Sequence, residues 1–131
     1  MYLLETESSF DAAHFLTSYE GKCRNIHGHR WRVVLEVSGE PCNGMLVDFG
    51  ILKKDLKEMC DYFDHTFIVE RGSLKKELFD LLNEEFLLRV VDFRTTAENF
   101  SRYFFDMLSK KYNVVSVSVY ETPTNKAVYR R

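Results

Sequence analysis

The sequence predicts an α+β domain in which amphipathic helices pack on one face of a β-sheet. Apolar and polar residues alternate with a period of two near both ends of the chain, and apolar residues recur at helical spacing between them. The chain has 131 residues, which is the usual size of one domain around one hydrophobic core. We therefore expect a single domain that spans residues 1–131.

Two strands are predicted in the first part of the chain. The alternation that begins at Tyr2 continues at least to Phe10, which places His14 at or just past the end of the first strand. A second run of alternation covers residues 29–38, and its apolar positions are the odd ones, such as Trp31. His27 and His29 also fall on odd positions, so they are expected to continue a core-facing register.

Two helices are predicted in the middle of the chain, the first at about residues 49–63 and the second up to about residue 112, and an amphipathic segment lies between them at about residues 73–85. Asp48 is a suitable N-cap for the first helix, and Thr95 followed by Glu98 has the form of a capping box that opens the second. Short extended segments are expected at residues 66–69 and 87–93.

The last part of the chain predicts a hairpin. Val115, Val117 and Val119 should face the core together, and a turn around Pro123 should lead into an edge strand. Glu121 falls in the same register as the valines, where a carboxylate is costly unless it has a partner. The predicted order is ββααββ with one further short strand.

Composition limits the classes of function. The net charge is −2 with mixed signs along the chain, which gives no basic surface for nucleic acid. No apolar run approaches the roughly 18 residues of a membrane span, and the N-terminus lacks the basic region of a signal peptide. The three cysteines form no Cys-x-x-Cys pair, so we expect a reducing, cytoplasmic location.

The clustering of histidines predicts a metal site. His27 and His29 flank a glycine, and two histidines at i and i+2 of an extended segment point to the same side. His14, which ends the neighbouring predicted strand, is the nearest candidate for a third ligand. Three imidazoles are typical of a catalytic zinc site, because a structural zinc takes four protein ligands and a catalytic zinc leaves one position open.

Cys23, four residues before His27, leaves two interpretations open. If its thiolate binds the metal, the site is closed and structural, and the protein is a small zinc-stabilised binding module. If it does not bind, the thiol is a base or nucleophile beside an ion that lowers its pKa. Cys42 in a turn and Cys60 on a helix are read as structural residues.

Two further groups are candidates for acid-base or ligand chemistry. Asp64 and His65 follow the first helix, as either a helix cap or a carboxylate-tuned general acid or base. Glu121 is either a residue at the rim of a strand or a buried carboxylate that accepts two donors from a ligand.

These motifs together resemble the signatures of the 6-pyruvoyltetrahydropterin synthase family. The matching segments extend nearly from end to end and occur in the family's order: residues 10–14 (FDAAH), 23–29 (CRNIHGH), 47–49 (VDF), 64–65 (DH), 96–99 (TAEN) and 120–123 (YETP). The three residues between Cys23 and His27 are similar to the spacing of the 6-carboxy-5,6,7,8-tetrahydropterin synthase branch, which serves queuosine biosynthesis. The animal 6-pyruvoyl enzymes have a longer gap.

The resemblance implies a role for each matching residue. His14, His27 and His29 would bind one zinc per subunit, and Cys23 would accept a proton without being a ligand. Asp64 and His65 would form a proton relay, and Glu121 would bind the pterin through its N3–H and 2-amino groups and support that relay as a further catalytic residue. Thr96 matches a pterin-contacting threonine, while Ala97 stands where the family often has a second one.

The resemblance also implies a fold, an assembly and a reaction. The fold would be the tunnelling fold, an antiparallel four-stranded sheet with helices on one face, which assembles into barrels as a homohexamer made of two trimers. The substrate would be 7,8-dihydroneopterin triphosphate, which is converted to 6-carboxytetrahydropterin with loss of acetaldehyde and triphosphate. The 6-pyruvoyl product and a folate-branch cleavage on the same site are the alternatives.

Overall fold

The computed structural model describes residues 1–131 as one sheet with three α-helices. The elements, in chain order, are β1 (Tyr2–His14), β2 (His27–Gly39), α1 (Phe49–Phe63), β3 (Thr66–Glu70), α2 (Lys76–Glu85), β4 (Leu88–Val91), α3 (Ala97–Leu108), β5 (Val114–Thr122) and β6 (Asn125–Arg130). A short 3-10 turn, Lys22–Arg24, lies between β1 and β2. The predicted α+β class is confirmed.

The sheet has six strands in the order β4-β3-β1-β2-β5-β6, which is two more than the family resemblance implies. Strands β1, β2, β5 and β6 form the predicted antiparallel set. Strand β3 pairs in parallel with β1, and β4 pairs in parallel with β3. The parallel pairing of β3 with β4 follows from their connection, because α2 carries the chain back along the sheet before β4 begins. The expectation of a purely antiparallel four-stranded sheet is therefore corrected.

One face of the sheet is buried under α1 and α3. It combines even positions of β1 with odd positions of β2, so that Phe10 lies opposite Trp31 in the β1–β2 ladder. Phe100 of α3 packs against this pair, with its ring centroid 5.1 Å from that of Trp31. The other face carries polar pairs such as Asp11 with Arg30, and neither of these side chains is buried. The alternation in the sequence therefore predicts correctly which residues of β1 and β2 lie on each face of the sheet.

Strand β5 departs from the predicted register at its start. A bulge opposite Glu36 and Val37 moves Val115 out of the core and places Val114 in it. Val117 and Val119 are buried as expected. The expectation that Val115 faces the core was wrong, because a bulge adds one residue to one strand and shifts the alternation on one side of it.

The helices begin and end close to the predicted positions. Asp48 caps α1, its side chain accepting a hydrogen bond from the Gly50 N–H at 2.6 Å. Helix α2 begins at Lys76, three residues after the start of the predicted amphipathic segment, and α3 ends at Leu108, four residues earlier than expected. No helix is both long and apolar enough to cross a membrane.

Candidate metal centre

Three imidazoles meet at one end of the β1–β2 ladder. His14 lies directly opposite His27, and His29 lies two residues further along β2 opposite Ala12. The ring centroids of His14 and His27 are 4.6 Å apart, and those of His27 and His29 are 4.8 Å apart. All three side chains lie on the core face of the sheet. Trp31 packs against the inner side of the cluster, with its ring centroid 4.8 Å from that of His14. The sequence-based grouping of His14, His27 and His29 is therefore what the fold produces.

Hydrogen bonds at Nδ1 fix the tautomer of two of these imidazoles. The Nδ1 atom of His27 is 2.7 Å from the Asn25 carbonyl oxygen, which can only accept, so Nδ1 carries the proton. The Nδ1 atom of His14 is 3.0 Å from the Thr95 hydroxyl oxygen. Because Thr95 donates its own hydrogen to the Phe15 carbonyl, it accepts from His14. In its neutral form each ring therefore presents an unprotonated Nε2 to the cluster.

The free Nε2 atoms fit a divalent metal ion. The Nε2 atoms of His14, His27 and His29 are buried and make no hydrogen bond. Buried polar atoms without a partner are costly, and an ion at their centre would supply the missing one. A Glu121 carboxylate oxygen lies 2.9 Å from His29 Nε2 without hydrogen-bond alignment. The four ligand atoms all lie within 4.8 Å of one another, and nitrogen with carboxylate oxygen suits zinc and similar divalent ions.

The electrostatics keep His14 and His29 in the ligand form. Burial, with the adjacent His27 and His29, lowers the pKa of His14 to about 4. Burial also lowers the pKa of His29, although the Glu121 carboxylate opposes the shift. Neutral imidazoles are the form that coordinates a metal, so the cluster is prepared for binding at neutral pH.

The Cys23 thiol is not a member of this cluster. Cys23 lies in the 3-10 turn before β2, it is half-buried, and its thiol is free. The turn is tied to the end of β1 because the Leu16 N–H donates to the Cys23 carbonyl at 2.9 Å. Glu121, and not Cys23, is the fourth potential ligand beside the imidazoles.

Asp64 and His65 form a hydrogen-bonded pair at the end of α1. The Nδ1 atom of His65 donates to Asp64 at 2.8 Å, and the other Asp64 oxygen accepts from the Asp11 N–H at 2.8 Å. The bond from Asp11 lowers the pKa of Asp64, and the bond to Asp64 raises the pKa of His65. His65 has a left-handed backbone (φ 58°), which lets its N–H donate to the Asp11 carbonyl at 2.6 Å.

This pair is not among the four potential metal ligands. His65 lines an open cavity of about 410 Å³ with Asp11 and Arg30, which belong to the sheet face away from α1 and α3, and His29 of the cluster lines the same cavity. The His65 side chain is 80% exposed, in contrast to the buried His14. The fold therefore brings His14, His27, His29 and Glu121 together and leaves Asp64 and His65 outside that group.

Glu121 lies between the imidazole cluster and two cavities at the surface. A bulge at Tyr120 and Thr122 interrupts the β5–β6 pairing, and Glu121 lies at this bulge. Glu121 lines one cavity of about 590 Å³ with Arg32 and Tyr120, and another of about 390 Å³ beside Ala97. A ligand in either cavity would lie against this carboxylate and close to the imidazoles.

The N-cap of α3 lies one residue later than the sequence predicts. Thr96, not Thr95, is the N-cap of α3, and its hydroxyl accepts from the Asn99 N–H at 3.2 Å. Thr95 is almost fully buried and contacts His14 instead. The capping box expected from Thr95 and Glu98 was wrong by one residue. Thr95 is the residue that sequence reasoning missed, because either threonine of the pair could have been the cap.

Comparison with known proteins identifies the family. The 6-pyruvoyl tetrahydropterin synthase family profile matches residues 3–131. A Haemophilus influenzae protein named 6-carboxy-5,6,7,8-tetrahydropterin synthase is 33% identical over 99% of both chains. A Bacillus subtilis protein of the same name is 31% identical over 97% of this chain and 84% of its own.

The chain belongs to the 6-pyruvoyl tetrahydropterin synthase family.

Two solved structures share the fold. A Caenorhabditis elegans 6-pyruvoyl tetrahydropterin synthase aligns with a TM-score of 0.72 at 27% identity, over 99% of this chain and 95% of its own. An uncharacterized Wolinella succinogenes protein aligns with a TM-score of 0.83 at 21% identity, over 99% and 98% of the two chains. The tunnelling fold implied by the sequence resemblance is confirmed.

The contact between Thr95 and His14 gives a first test. Thr95→Val removes the oxygen that accepts the His14 Nδ1–H, so His14 loses its fixed orientation. Partners of this kind change metal affinity by about 10- to 100-fold when they are removed. We expect Thr95→Val to weaken binding of Zn²⁺ or Co²⁺ by that factor, measured by competition with a chelator.

Thr95→Ser is the matched control, since it retains the hydroxyl and should bind metal with nearly the wild-type affinity. Thermal unfolding of both metal-free variants separates loss of the ligand orientation from loss of the fold. Equal metal affinity for Thr95→Val and the wild type would contradict the role assigned to Thr95.

The pair of Asp64 with His65 gives a second test. Asp64→Asn removes the negative charge that favours the imidazolium, so the pKa of His65 should fall toward its ordinary value. His65 would then lose its proton at a lower pH than in the wild type. The ring C–H chemical shift of His65, followed by NMR against pH and assigned with His65→Gln, measures this change.

Asp61→Asn serves as the control for that titration, because Asp61 lies one turn earlier and pairs with Lys57 at 2.6 Å. It should leave the pKa of His65 nearly unchanged. A His65 titration that is the same in Asp64→Asn and the wild type would show that Asp64 does not hold the proton on His65.

Proposed function

We propose that this protein converts 7,8-dihydroneopterin triphosphate to 6-carboxy-5,6,7,8-tetrahydropterin, with release of acetaldehyde and triphosphate, in the biosynthesis of queuosine and other 7-deazapurines. The observation that carries the proposal is the convergence of three buried, unpartnered Nε2 atoms beside Glu121 in a member of this family. The names of its relatives from Haemophilus influenzae and Bacillus subtilis support the 6-carboxy product.

We assign one zinc ion per subunit to His14, His27 and His29. The neutral Nε2 atoms of His14 and His27, held by Thr95 and Asn25, supply two fixed lone pairs. Bound zinc supplies Lewis acidity toward the oxygens of the substrate side chain. Burial against Trp31 keeps bulk water away from the inner side of the cluster.

Glu121 is assigned to the pterin. Its carboxylate lies next to His29 and faces two cavities, so it can accept hydrogen bonds from the pterin N3–H and 2-amino group while the side chain of the substrate reaches the imidazoles. Thr96, at the N-terminus of α3, is assigned as a second pterin contact. Ala97 lines the smaller cavity with Glu121 and provides no hydroxyl there.

Cys23 and the pair of Asp64 with His65 are assigned to proton transfer. As a thiolate, Cys23 would remove a carbon-bound proton from the substrate, and its absence from the imidazole cluster leaves the sulfur free for this task. His65, whose pKa is raised by Asp64, would hold a proton at Nε2 for delivery as the leaving groups depart.

A complete site then requires more than one subunit. His65 is exposed on the face away from the helices, outside the cluster that its own chain builds. In a homo-oligomer of tunnelling-fold subunits, the His65 of one chain would serve the imidazoles of a neighbour. We propose a hexamer made of two trimers, as the family resemblance implies. The three free thiols support a reducing, cytoplasmic location.

Two enzyme alternatives use the same residues, namely formation of the 6-pyruvoyl product and a folate-branch cleavage. The C. elegans structural relative is named for the 6-pyruvoyl activity. The non-enzyme alternative, a structural zinc module closed by Cys23, is less consistent with a cluster in which Glu121 takes the fourth place. Incubation with 7,8-dihydroneopterin triphosphate, followed by mass analysis of the pterin and detection of acetaldehyde, separates the three products.

Two alanine variants test the division between metal binding and proton transfer. His27→Ala removes a ligand, so we expect loss of both bound zinc and activity. Cys23→Ala should retain zinc at the wild-type stoichiometry and lose turnover by at least about 100-fold, as expected for a general base. Zinc content by atomic emission and product formation are measured on the same samples. Loss of zinc from Cys23→Ala would make the thiol a ligand.

Mixing two inactive variants tests the shared site. His27→Ala keeps the proton relay, and His65→Ala keeps the metal ligands, so a mixed oligomer contains some interfaces with both. If chains mix at random in equal amounts, about one quarter of the interfaces are complete. We expect co-expressed or co-refolded variants to recover about that fraction of wild-type activity. If the mixture stays inactive, each chain uses its own His65.

A further inference from the structure

Helix α2 is the one helix of this fold that buries none of its residues. By contrast, α1 and α3 each place four or more residues in the core. Phe79 and Leu74 turn toward β3 and β4, yet a cavity of about 230 Å³ remains between α2 and these strands. Because β4 is an edge strand, α2 stands at the margin of the sheet with its outer side uncovered.

The outer side of α2 is apolar at its centre. Leu78 is 46% exposed and Leu81 is 61% exposed, and their separation of three residues puts them on one face of the helix. Phe86 and Leu87, directly after the helix, are 64% and 54% exposed. Single exposed apolar side chains are ordinary, but four within ten residues form a patch of the kind that marks an interaction surface. We call these four residues the α2 patch.

The charges at the two ends of α2 have opposite signs. Lys75 and Lys76 lie at its N-terminus, and Glu84 and Glu85 lie at its C-terminus. Lys76 is paired with Asp80 at 2.6 Å, whereas Lys75, Glu84 and Glu85 have no ion-pair partner within the chain. The patch is therefore complementary to itself when one copy is reversed relative to the other.

We propose that the α2 patch binds the same patch of a second copy of this chain, with the two helices antiparallel across a two-fold axis. The axis passes between Leu78 and Leu81, so that Leu78 of each copy lies against Leu81 of the other. That register also brings Lys75 close to Glu84 and Glu85 of the second copy. Such an isologous contact is closed and pairs two copies.

Other arrangements of two copies are less favourable. A parallel pair would place Glu84 and Glu85 against the same residues of the second copy, and it would align the helix dipoles. An antiparallel pair opposes the dipoles and matches the charges. The contact is also separate from any pairing of the sheet edges β4 and β6, since it uses side chains of α2 and not backbone hydrogen bonds. It does not depend on the metal cluster.

Leu81→Glu tests the proposal by placing a charge at the centre of the contact. We expect the molar mass in solution, measured by sedimentation equilibrium or light scattering, to fall to half the wild-type value. Ile51→Glu is the matched control, because Ile51 is 49% exposed on α1 and lies outside the patch; it should leave the mass unchanged. Far-ultraviolet circular dichroism and zinc content, which should stay at wild-type levels, show that each variant is folded.

Charge reversal tests the antiparallel register. Lys75→Glu alone should raise the dissociation constant several-fold, and combining it with Glu84→Lys and Glu85→Lys should restore the wild-type value. A wild-type chain that is monomeric, a mass unchanged in Leu81→Glu, an equal loss in Ile51→Glu, or a triple variant as weak as Lys75→Glu would each overturn the proposal. The zinc and product assays report on the proposed enzyme function separately.

Discussion

The register of the β1–β2 ladder is the constraint on which the site depends. The two strands pair without interruption from Tyr2 opposite Gly39 to His14 opposite His27. Because side chains alternate between faces, a slip of one residue would move the imidazoles of β2 to the face opposite that of His14. The same register puts Phe10 against Trp31 in the core, so burial of these aromatic rings holds the ladder in place. The packing of the core thereby fixes the position of the metal ligands.

Burying polar atoms without hydrogen-bond partners at this site costs free energy, and contacts elsewhere in the fold reduce that cost. Three imidazoles with buried, free Nε2 atoms are unfavourable without a partner, and the Nδ1 atoms of His14 and His27 limit the penalty through Thr95 and Asn25. Thr95 immediately precedes the N-cap of α3, so the start of that helix is tied to His14. Glu121 belongs to β5 and lies at a bulge in the β5–β6 pairing, which places its carboxylate beside the imidazoles. The ladder, a helix terminus and a bulge each contribute one part of the cluster.

Much of this arrangement could be predicted from the sequence, because alternation with a period of two reports directly which strand residues face the core. The odd positions of β2, including His27 and His29, were assigned to the core face correctly. The parallel strands β3 and β4 were harder to predict, since short apolar runs do not reveal their partners. The bulge at Val115 and the choice of Thr96 over Thr95 as the N-cap depend on one-residue shifts that tertiary contacts decide. The exposure of His65 on the sheet face away from α1 and α3 is likewise a property of the folded sheet.

The coordination sphere of the bound ion tests the central claim most directly. Zinc K-edge X-ray absorption on the purified protein reports the elements and distances of the ligand atoms. The account predicts three imidazole nitrogens at about 2.0–2.1 Å, with the remaining scatterers being oxygen. A sulfur scatterer at about 2.3 Å would contradict it, because Cys23 would then be a ligand and could not act as the base.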